Sequence, residues 1–240
     1  MERLAHHDAR GQKAGGIAAL YLGLAYLAAM PYFLVVVDYQ GAITVADKVA
    51  LVVGNYSSMY AMYLVTYVFF GIVLGLPVFA LYDRLRAVAP STMRIATAVG
   101  LLWSFALVTS GMVFNYGMTT IVSLADSDLT QARVAWQAIE PVAQGLGGAG
   151  GELLGGVWVL LVSWVALRSG ALSKALGWLG IAVGTMGLLS IVPPLHEAAY
   201  AFGVLQIIWF VWLGVTMTRK PASDDAGWIP KASAGVLNLD

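Results

Sequence analysis

Six long apolar runs alternate with shorter polar stretches along the chain. The runs cover residues 15–37, 57–81, 95–118, 153–167, 175–192 and 200–217. A helix needs about 20 apolar residues to cross the hydrocarbon core of a bilayer, and every run except the fourth reaches or approaches that length. The pattern predicts an all-α fold, a polytopic membrane helical bundle with six transmembrane helices.

The domain organisation follows from the same pattern. We expect one six-helix transmembrane domain over residues 15–219, a cytoplasmic N-terminal tail over residues 1–14 and a mobile cytoplasmic tail over residues 220–240. The first run is longer than the apolar region of a signal peptide, which has about 7–15 residues. We therefore expect it to be retained as the first helix.

Composition supports a membrane location. Hydrophobic residues make up 60% of the 240 residues, charged residues make up 11%, and the mean hydropathy is +0.79. Soluble domains carry about 25% charged residues. The 13 basic and 13 acidic residues cancel, so the lipid bilayer is an expected partner and nucleic acid is not. The chain contains no cysteine, which excludes disulfides, thiolate metal ligands and cysteine nucleophiles.

Basic residues cluster on one side of the predicted bundle. Of the 13, only Lys48 and Arg133 lie on the other side; the rest lie in the two tails and in the loops after the second and fourth helices. Lys and Arg accumulate on the cytoplasmic side of membrane proteins. We therefore expect a multi-pass protein of the plasma membrane with both termini in the cytoplasm.

Two amphipathic segments fall in the outer loops. In residues 126–141, Asp128 is the predicted N-cap, an apolar stripe follows, and Pro141 is the predicted stop. Residues 44–54 carry a similar stripe that ends at Gly54. We expect both to be helices lying in the membrane interface, with a lid over an outer cavity as the alternative.

Pairs of glycines spaced four apart occur in or beside three of the apolar runs. The pairs are Gly71 with Gly75, Gly151 with Gly155, and Gly180 with Gly184. Such pairs allow helices to approach closely in a membrane. We expect them to serve packing inside the bundle; the alternative is the seam of a homo-oligomer.

The apolar runs contain no Asp, Glu, Lys, Arg or His. Ionisable groups at membrane depth mark ion paths and proton relays, so their absence argues against a proton-coupled pump and against a metal site in mid-membrane. Glu152 lies just before the fourth run, at its predicted outer mouth.

Polar side chains concentrate in the predicted outer half. Tyr56, Tyr60, Tyr63 and Tyr67 follow the spacing of one helical face. We predict an outward-open pocket for a small apolar or amphipathic ligand. Its candidate residues are Tyr60, Tyr63, Tyr67, Ser110, Asn115, Glu152, His196 and Gln206. The alternative is that the tyrosines form an interfacial belt and that the two amides join helices by hydrogen bonds.

His196 and Glu197 follow a Pro-Pro pair in the last outer loop. Together with Glu140 and Glu152 they have the chemistry of metal ligands, but their spacing is not diagnostic. We expect a solvated loop histidine and no metal site. Catalytic residues and cofactors are not assigned by any pattern in the chain.

Two stretches resemble a known family. One is the basic end of the second helix, Tyr82-Asp83-Arg84-Leu85-Arg86, and the other is the turn Arg168-Ser169-Gly170-Ala171-Leu172-Ser173-Lys174 that leads towards Pro193-Pro194-Leu195. They resemble the bacterial six-helix membrane proteins of the domain-of-unknown-function family four-three-eight-six. The resemblance implies six helices and a bacterial plasma membrane; it implies no activity and no site residue.

Three functions fit these observations. The first is a non-enzymatic bundle that binds a small ligand or lipid, or that acts as an accessory subunit of a membrane complex. The second is a transporter or channel that uses the outer pocket. The third is a membrane enzyme with Glu152 and His196 as acid and base at the outer mouth. We favour the first, because the helices lack charged groups and no catalytic set is recognisable.

Overall fold

The computed structural model describes the backbone of residues 2–147 and 152–219, and side chains from Arg10 onward within those ranges. Every regular element in this described part is helical, so the predicted all-α class is confirmed there. The nine α-helices of the described ranges are α1 (Glu2–Pro31), α2 (Val45–Gly54), α3 (Tyr56–Tyr63), α4 (Phe70–Leu85), α5 (Pro90–Ala125), α6 (Leu129–Gly147), α7 (Leu153–Ser169), α8 (Lys174–Leu189) and α9 (Ala198–Arg219).

Two π-helical segments extend this set. Tyr32–Val36 continues α1, and Leu64–Phe69 joins α3 to α4 as one continuous helix. Residues 2–14, expected to be a tail, form the first turns of α1. Residues 220–240, expected to be a second tail, lie outside the described residues.

Four helical spans are long and apolar enough to cross a membrane. They are Arg10–Val36, Tyr56–Leu85, Pro90–Ala125 and Ala198–Arg219, with 27, 30, 36 and 22 residues. α7 and α8 are shorter apolar helices of 17 and 16 residues. At 1.5 Å per residue each of these two extends roughly 25 Å, less than the ~30 Å hydrocarbon core.

The helices pack side by side with alternating direction. α1 packs against α9 and α4, α4 against α5, and α8 between α7 and α9. Basic residues gather at one end of this bundle, which we call the basic end: Arg84, Arg94, Arg168, Lys174 and Arg219. There, the Arg84 guanidinium donates to the carbonyl of Ala171 in the turn between α7 and α8 (3.0 Å).

Buried apolar side chains form two clusters stacked along the bundle. The first, which we call the bundle core, includes Leu22, Phe70, Trp103, Trp158 and Trp209 from five different helices. The second, the cap core, lies towards the other end and is built from α2, α3, α6 and the last turns of α5. Its members include Val49, Met59, Phe114, Met118 and Trp136.

α6 packs along α5 and is part of the helical bundle. Its buried positions Ala132, Trp136, Glu140 and Ala143 recur every three or four residues, which places them on one helical face. Ala143 accepts a hydrogen bond from the buried Ser110 hydroxyl of α5 (2.7 Å). The helix is therefore part of a packed cap.

The predicted stop at Pro141 is wrong, because α6 continues to Gly147. Proline removes one backbone donor and would leave the carbonyl of Gln137 without its helical partner. Both Pro141 and Gln137 are exposed, so this carbonyl lies on the outer face of the helix. The predicted N-cap is confirmed: the Asp128 carboxylate accepts from the backbone N–H of Gln131 (3.0 Å).

α6 and α7 both pack against α5, one after the other along its length. Gly147, at the end of α6, lies against the backbone of Ala106, and Gly155 of α7 lies against Trp103, one turn further towards the basic end. Between the two helices, Glu152 is non-helical (φ −93°, ψ 43°). α6 and α7 thus both run antiparallel to α5, with α7 nearer to the basic end.

Glycines permit the close crossing of α7 and α8. A Cβ on Gly156 would come within about 3.1 Å of the backbone of both Gly184 and Gly187. Of the predicted pairs, Gly180 and Gly184 both face neighbouring helices, whereas Gly75 faces open space. Gly151 lies outside the described residues.

Candidate functional site

A cavity of about 220 Å³ lies between the bundle core and the cap core. Residues from α1, α3, α5, α6 and α9 line it, together with the two π-helical segments. Seven of the lining side chains are aromatic: Tyr26, Phe33, Tyr39, Tyr63, Tyr67, Phe114 and Tyr200. Its exposed lining residues are Leu34, Gln40 and Tyr200, so the mouth opens between the end of α1 and the start of α9.

Both π-helical segments contribute to the cavity wall. Phe33 and Leu34 come from the first, and Tyr67 comes from the second. A π-turn contains an extra residue, so it rotates the side chains beyond it and frees a carbonyl from the regular ladder. In the second segment the Tyr21 hydroxyl donates to the Val65 carbonyl (2.7 Å). Local backbone irregularity therefore aims aromatic side chains into the cavity.

The aromatic walls are packed against each other. Tyr63 stacks on Phe114 with ring centroids 4.4 Å apart, and it also contacts Tyr67 at 5.3 Å and Phe33 at 5.1 Å. Tyr26 meets Phe70 of the bundle core edge to face at 5.2 Å. These contacts fix the rings from both cores, so the cavity is formed before any ligand enters.

A second cavity of about 90 Å³ lies closer to the bundle core. It shares Tyr26, Ala29, Phe33, Tyr67 and Glu152 with the first, so the two cavities are adjacent and have a common wall. Phe70 and Leu107, both buried members of the bundle core, also line it. Beyond them, the packed rings of Trp103, Trp158 and Trp209 fill the bundle core towards the basic end.

Glu152 is the one carboxylate among the described residues that line both cavities. It is half-buried, directly before α7, and its backbone N–H donates to the Ser190 hydroxyl (3.0 Å). Ser190 in turn donates to the Gly187 carbonyl (2.7 Å). Within the described ranges the Glu152 carboxylate forms no salt bridge.

The carboxylate of Glu140, in the cap beside the cavity, has by contrast a basic partner and two further hydrogen-bond donors. Its Oε1 accepts hydrogen bonds from Lys48 Nζ (2.6 Å), the Tyr39 hydroxyl (2.8 Å) and Gln144 Nε2 (3.1 Å). Burial and the neighbouring Glu140 carboxylate raise the pKa of Tyr39 above its ordinary value. The Tyr39 hydroxyl therefore stays protonated and donates, which holds the cap over the cavity.

At the mouth, Gln40 donates to the Tyr200 hydroxyl. This hydrogen bond connects the loop after α1 to the first turn of α9. Both residues also line the cavity. The mouth is thus bordered by polar groups, whereas the deeper wall is aromatic.

Three of the residues predicted for the pocket line the cavity: Tyr63, Tyr67 and Glu152. Tyr60 packs edge to face on Tyr56 at 5.8 Å against the cap core and does not line the cavity. The π-helical segment changes the number of residues per turn, so the tyrosines no longer lie on one regular helical face. This explains why Tyr67 lies beside Tyr63 and away from Tyr60.

The remaining predicted residues lie elsewhere. Ser110 is buried between α5 and α6. Asn115 and Gln206 are fully buried, and their side-chain amides have no hydrogen-bond partner among the described residues. His196 is exposed and lies 3.1 Å from the Pro193 carbonyl through Nδ1. Neither these amides nor His196 lines the cavity.

The structure adds cavity residues that the sequence argument missed. Tyr26 and Phe33 from α1, and Tyr200 and Gly203 from α9, form the walls opposite the tyrosines of the second span. The aromatic residues in the second half of the first apolar run were the sequence feature that could have indicated this wall of the cavity. Within the described ranges, no group of three or more His, Asp or Glu side chains could hold a metal ion.

Comparison with known proteins found no relative: no protein-family model, no curated protein and no solved structure matches the chain.

Proposed function

We propose that the chain is a six-pass membrane protein with both termini in the cytoplasm, and that its outer cavity binds a small apolar or amphipathic ligand. The four long apolar spans support the membrane location. The gathering of basic side chains at one end supports the orientation, because that end would face the cytoplasm. α7 and α8 would be the fourth and fifth passes, with α6 extending the fourth outward.

In this arrangement the cavity lies at the outer edge of the hydrocarbon core. Tyr67 precedes Leu85, at the basic end of α4, by about 18 residues of helix, or roughly 27 Å at 1.5 Å per residue. The hydrocarbon core is about 30 Å thick. The cap would then stand outside the membrane, and α5, with 36 residues, would extend through it into the cap.

The observation that carries the binding proposal is the preformed aromatic cavity with one uncompensated carboxylate. Ligand pockets are concave, mostly apolar, and contain few polar groups. Pockets for drug-sized ligands have about 300–1,000 Å³, and this cavity has about 220 Å³. We therefore propose a smaller molecule, or the head of an amphiphile whose chain leaves through the mouth.

Gly203 offers a direct test. It lines the cavity, and a Cβ placed on it would meet only the Met30 sulfur, at 4.0 Å. The Gly203→Leu variant should therefore fill the cavity without a backbone clash. Gly75 is the matched control, because a Cβ there also meets open space but the residue does not line the cavity.

The measurement is native mass spectrometry of protein purified in mild detergent, with an absorbance spectrum. We expect a stoichiometric added mass in the parent and in Gly75→Leu, and its loss in Gly203→Leu. A bare parent chain, or an added mass that Gly203→Leu retains, would remove the support for a ligand in this cavity.

Transport is a second candidate, favoured by the position of Glu152. Helix ends next to the substrate are a feature of many transporters, and the non-helical Glu152 lies directly before α7 on the cavity wall. In the present conformation the buried rings of Phe70 and Trp103 close the path towards the basic end. Flux of an added solute in proteoliposomes would support this candidate; retention of ligand without flux would favour simple binding.

Further roles stay predictions of the sequence. A homo-oligomer or a protein partner would make the chain an accessory subunit, and membership of the domain-of-unknown-function family would place it in a bacterial plasma membrane. The enzymatic alternative requires Glu152 and His196 to act together. Unchanged activity in both Glu152→Gln and His196→Ala would end it.

A further inference from the structure

The cavity has one carboxyl group and no basic side chain on its described wall. Glu152 supplies that carboxyl group, and no lysine, arginine or histidine is among the described lining residues. The other buried carboxylate near the cavity, Glu140, is paired with Lys48. Of these two carboxyl groups, Glu152 is therefore the one that has no basic partner among the described residues.

A half-buried carboxylate without a cation loses hydration that nothing in the described protein replaces. Such groups are costly unless a cation or several hydrogen bonds compensate them. A positively charged ligand would supply that compensation. An anionic ligand would add repulsion, and a neutral apolar ligand would remove the remaining water without replacing it.

The aromatic walls favour the same ligand class. The faces of Tyr and Phe rings attract cations, and this attraction grows when water is excluded. Tyr26, Phe33 and Tyr67 line both the larger and the smaller cavity together with Glu152. Several rings around one carboxylate suit an ammonium group with apolar substituents. Such a group has few or no N–H donors, so ring faces and a negative charge bind it better than hydrogen-bond acceptors do.

We infer that the ligand of the outer cavity is an organic cation, namely an alkylated or quaternary ammonium group. This inference rests on the proposed ligand-binding function and narrows it to one chemical class. The volume suits a single ammonium head with short substituents. The head could belong to a free cation or to a lipid, because the mouth opens at the proposed outer membrane edge.

The test compares choline with 3,3-dimethylbutan-1-ol, which has the same shape without the charge. Both are titrated into the full-length chain in a nonionic detergent, and binding is measured by calorimetry. We expect choline to bind about tenfold or more tightly than the neutral compound, because only the cation is attracted by the ring faces and by the Glu152 carboxylate; a tenfold difference corresponds to about 1.4 kcal/mol.

Glu152→Gln should remove this difference while the neutral compound binds within about twofold of the parent, because shape is retained and only charge is lost. Glu197→Gln is the matched control, since Glu197 is an exposed carboxylate that does not line the cavity. Tyr67→Leu should weaken choline several-fold, whereas Tyr67→Phe, which keeps the ring, should not.

Equal affinity for the two compounds, or a choline preference that persists in Glu152→Gln, would overturn the cation inference and leave the cavity as a neutral binding site. If neither compound binds, the inference also fails. The loss of added mass in Gly203→Leu then decides separately whether the cavity binds any ligand.

The source of the ammonium group is distinguished in nanodiscs. Phosphatidylcholine added to phosphatidylglycerol nanodiscs should weaken choline binding and leave a bound lipid mass if the ligand is a lipid head. Unchanged choline binding in both membranes would identify a free cation. If choline binds no more tightly than 3,3-dimethylbutan-1-ol in nanodiscs with and without phosphatidylcholine, the inference is overturned.

Discussion

The hydrogen bonds around Glu140 should decide whether the cap stays closed over the bundle. Glu140 of α6 accepts from Lys48 of α2 and from Tyr39 in the loop after α1. One carboxylate therefore connects α6, α2 and the loop after α1. Lys48→Met removes the cation, keeps much of the aliphatic side chain, and leaves the carboxylate with two neutral donors.

The expected cost follows from burial. Removing one partner of a buried ion pair costs about 3–5 kcal/mol. The side chain of Glu140 is 9% exposed, but that of Lys48 is 24% exposed, so water already weakens the pair. Tyr39 and Gln144 also continue to donate. We expect a loss of about 2–3 kcal/mol, which at 1.4 kcal/mol per tenfold corresponds to a roughly 30- to 150-fold increase in local opening.

Hydrogen–deuterium exchange with mass spectrometry localises this effect. Amides of α2 should lose protection by that factor in Lys48→Met, while amides of α8 should not change. Arg86→Met is the matched control, because the Arg86–Asp83 pair is about half exposed on both sides and such pairs contribute little. Equal protection of α2 in both variants, or a loss spread equally over α2 and α8, would refute the reasoning.

Three further predictions follow from local contacts. Gly156→Ala should destabilise the protein by about 1–3 kcal/mol, because the new methyl group meets backbone atoms of α8 that cannot move aside, whereas Gly75→Ala should not; melting curves in detergent compare them. Thr44→Ala should cost about 1 kcal/mol by removing the capping box at the start of α2, and Thr44→Ser should retain it, as exchange of α2 amides would report. The raised pKa of Tyr39 implies that the stability it contributes is complete below about pH 10 and is lost above it, because only the unfolded chain then releases the proton; melting temperatures from pH 8 to 11 should fall less in Tyr39→Phe.

The arrangement of apolar helices was the part of the fold that hydropathy predicts best. Long apolar runs have few alternatives to helix in a membrane, and the run before Leu85 and the run after Pro90 are both continuous helices in the structure. The capped start of α6 at Asp128 was predictable because short-range hydrogen bonds define it. The extension of α6 past Pro141 was not, since it depends on packing against α5 and on exposure of the freed carbonyl.

The candidate site was predictable only in part, for a similar reason. Tyr63 and Tyr67 were identified from polarity within an apolar run and Glu152 from its position just before one, and all three line the cavity. The aromatic residues from α1 and α9 were missed, because their proximity depends on the pairing of the first and last helices in three dimensions. The separation of Tyr60 from the cavity depends on a π-helical segment, and the apolar sequence of that segment carries no sign of it.

The central claim, an outward-facing cavity that accepts a ligand, is tested most directly by chemical labelling. The chain has no cysteine, so a single Ala29→Cys substitution places one thiol on the wall of both cavities. A membrane-impermeant thiol reagent added outside intact cells should label it, and Gly203→Leu in the same chain should block the reaction. Labelling only after the membrane is opened, or labelling that Gly203→Leu leaves unchanged, would contradict the account.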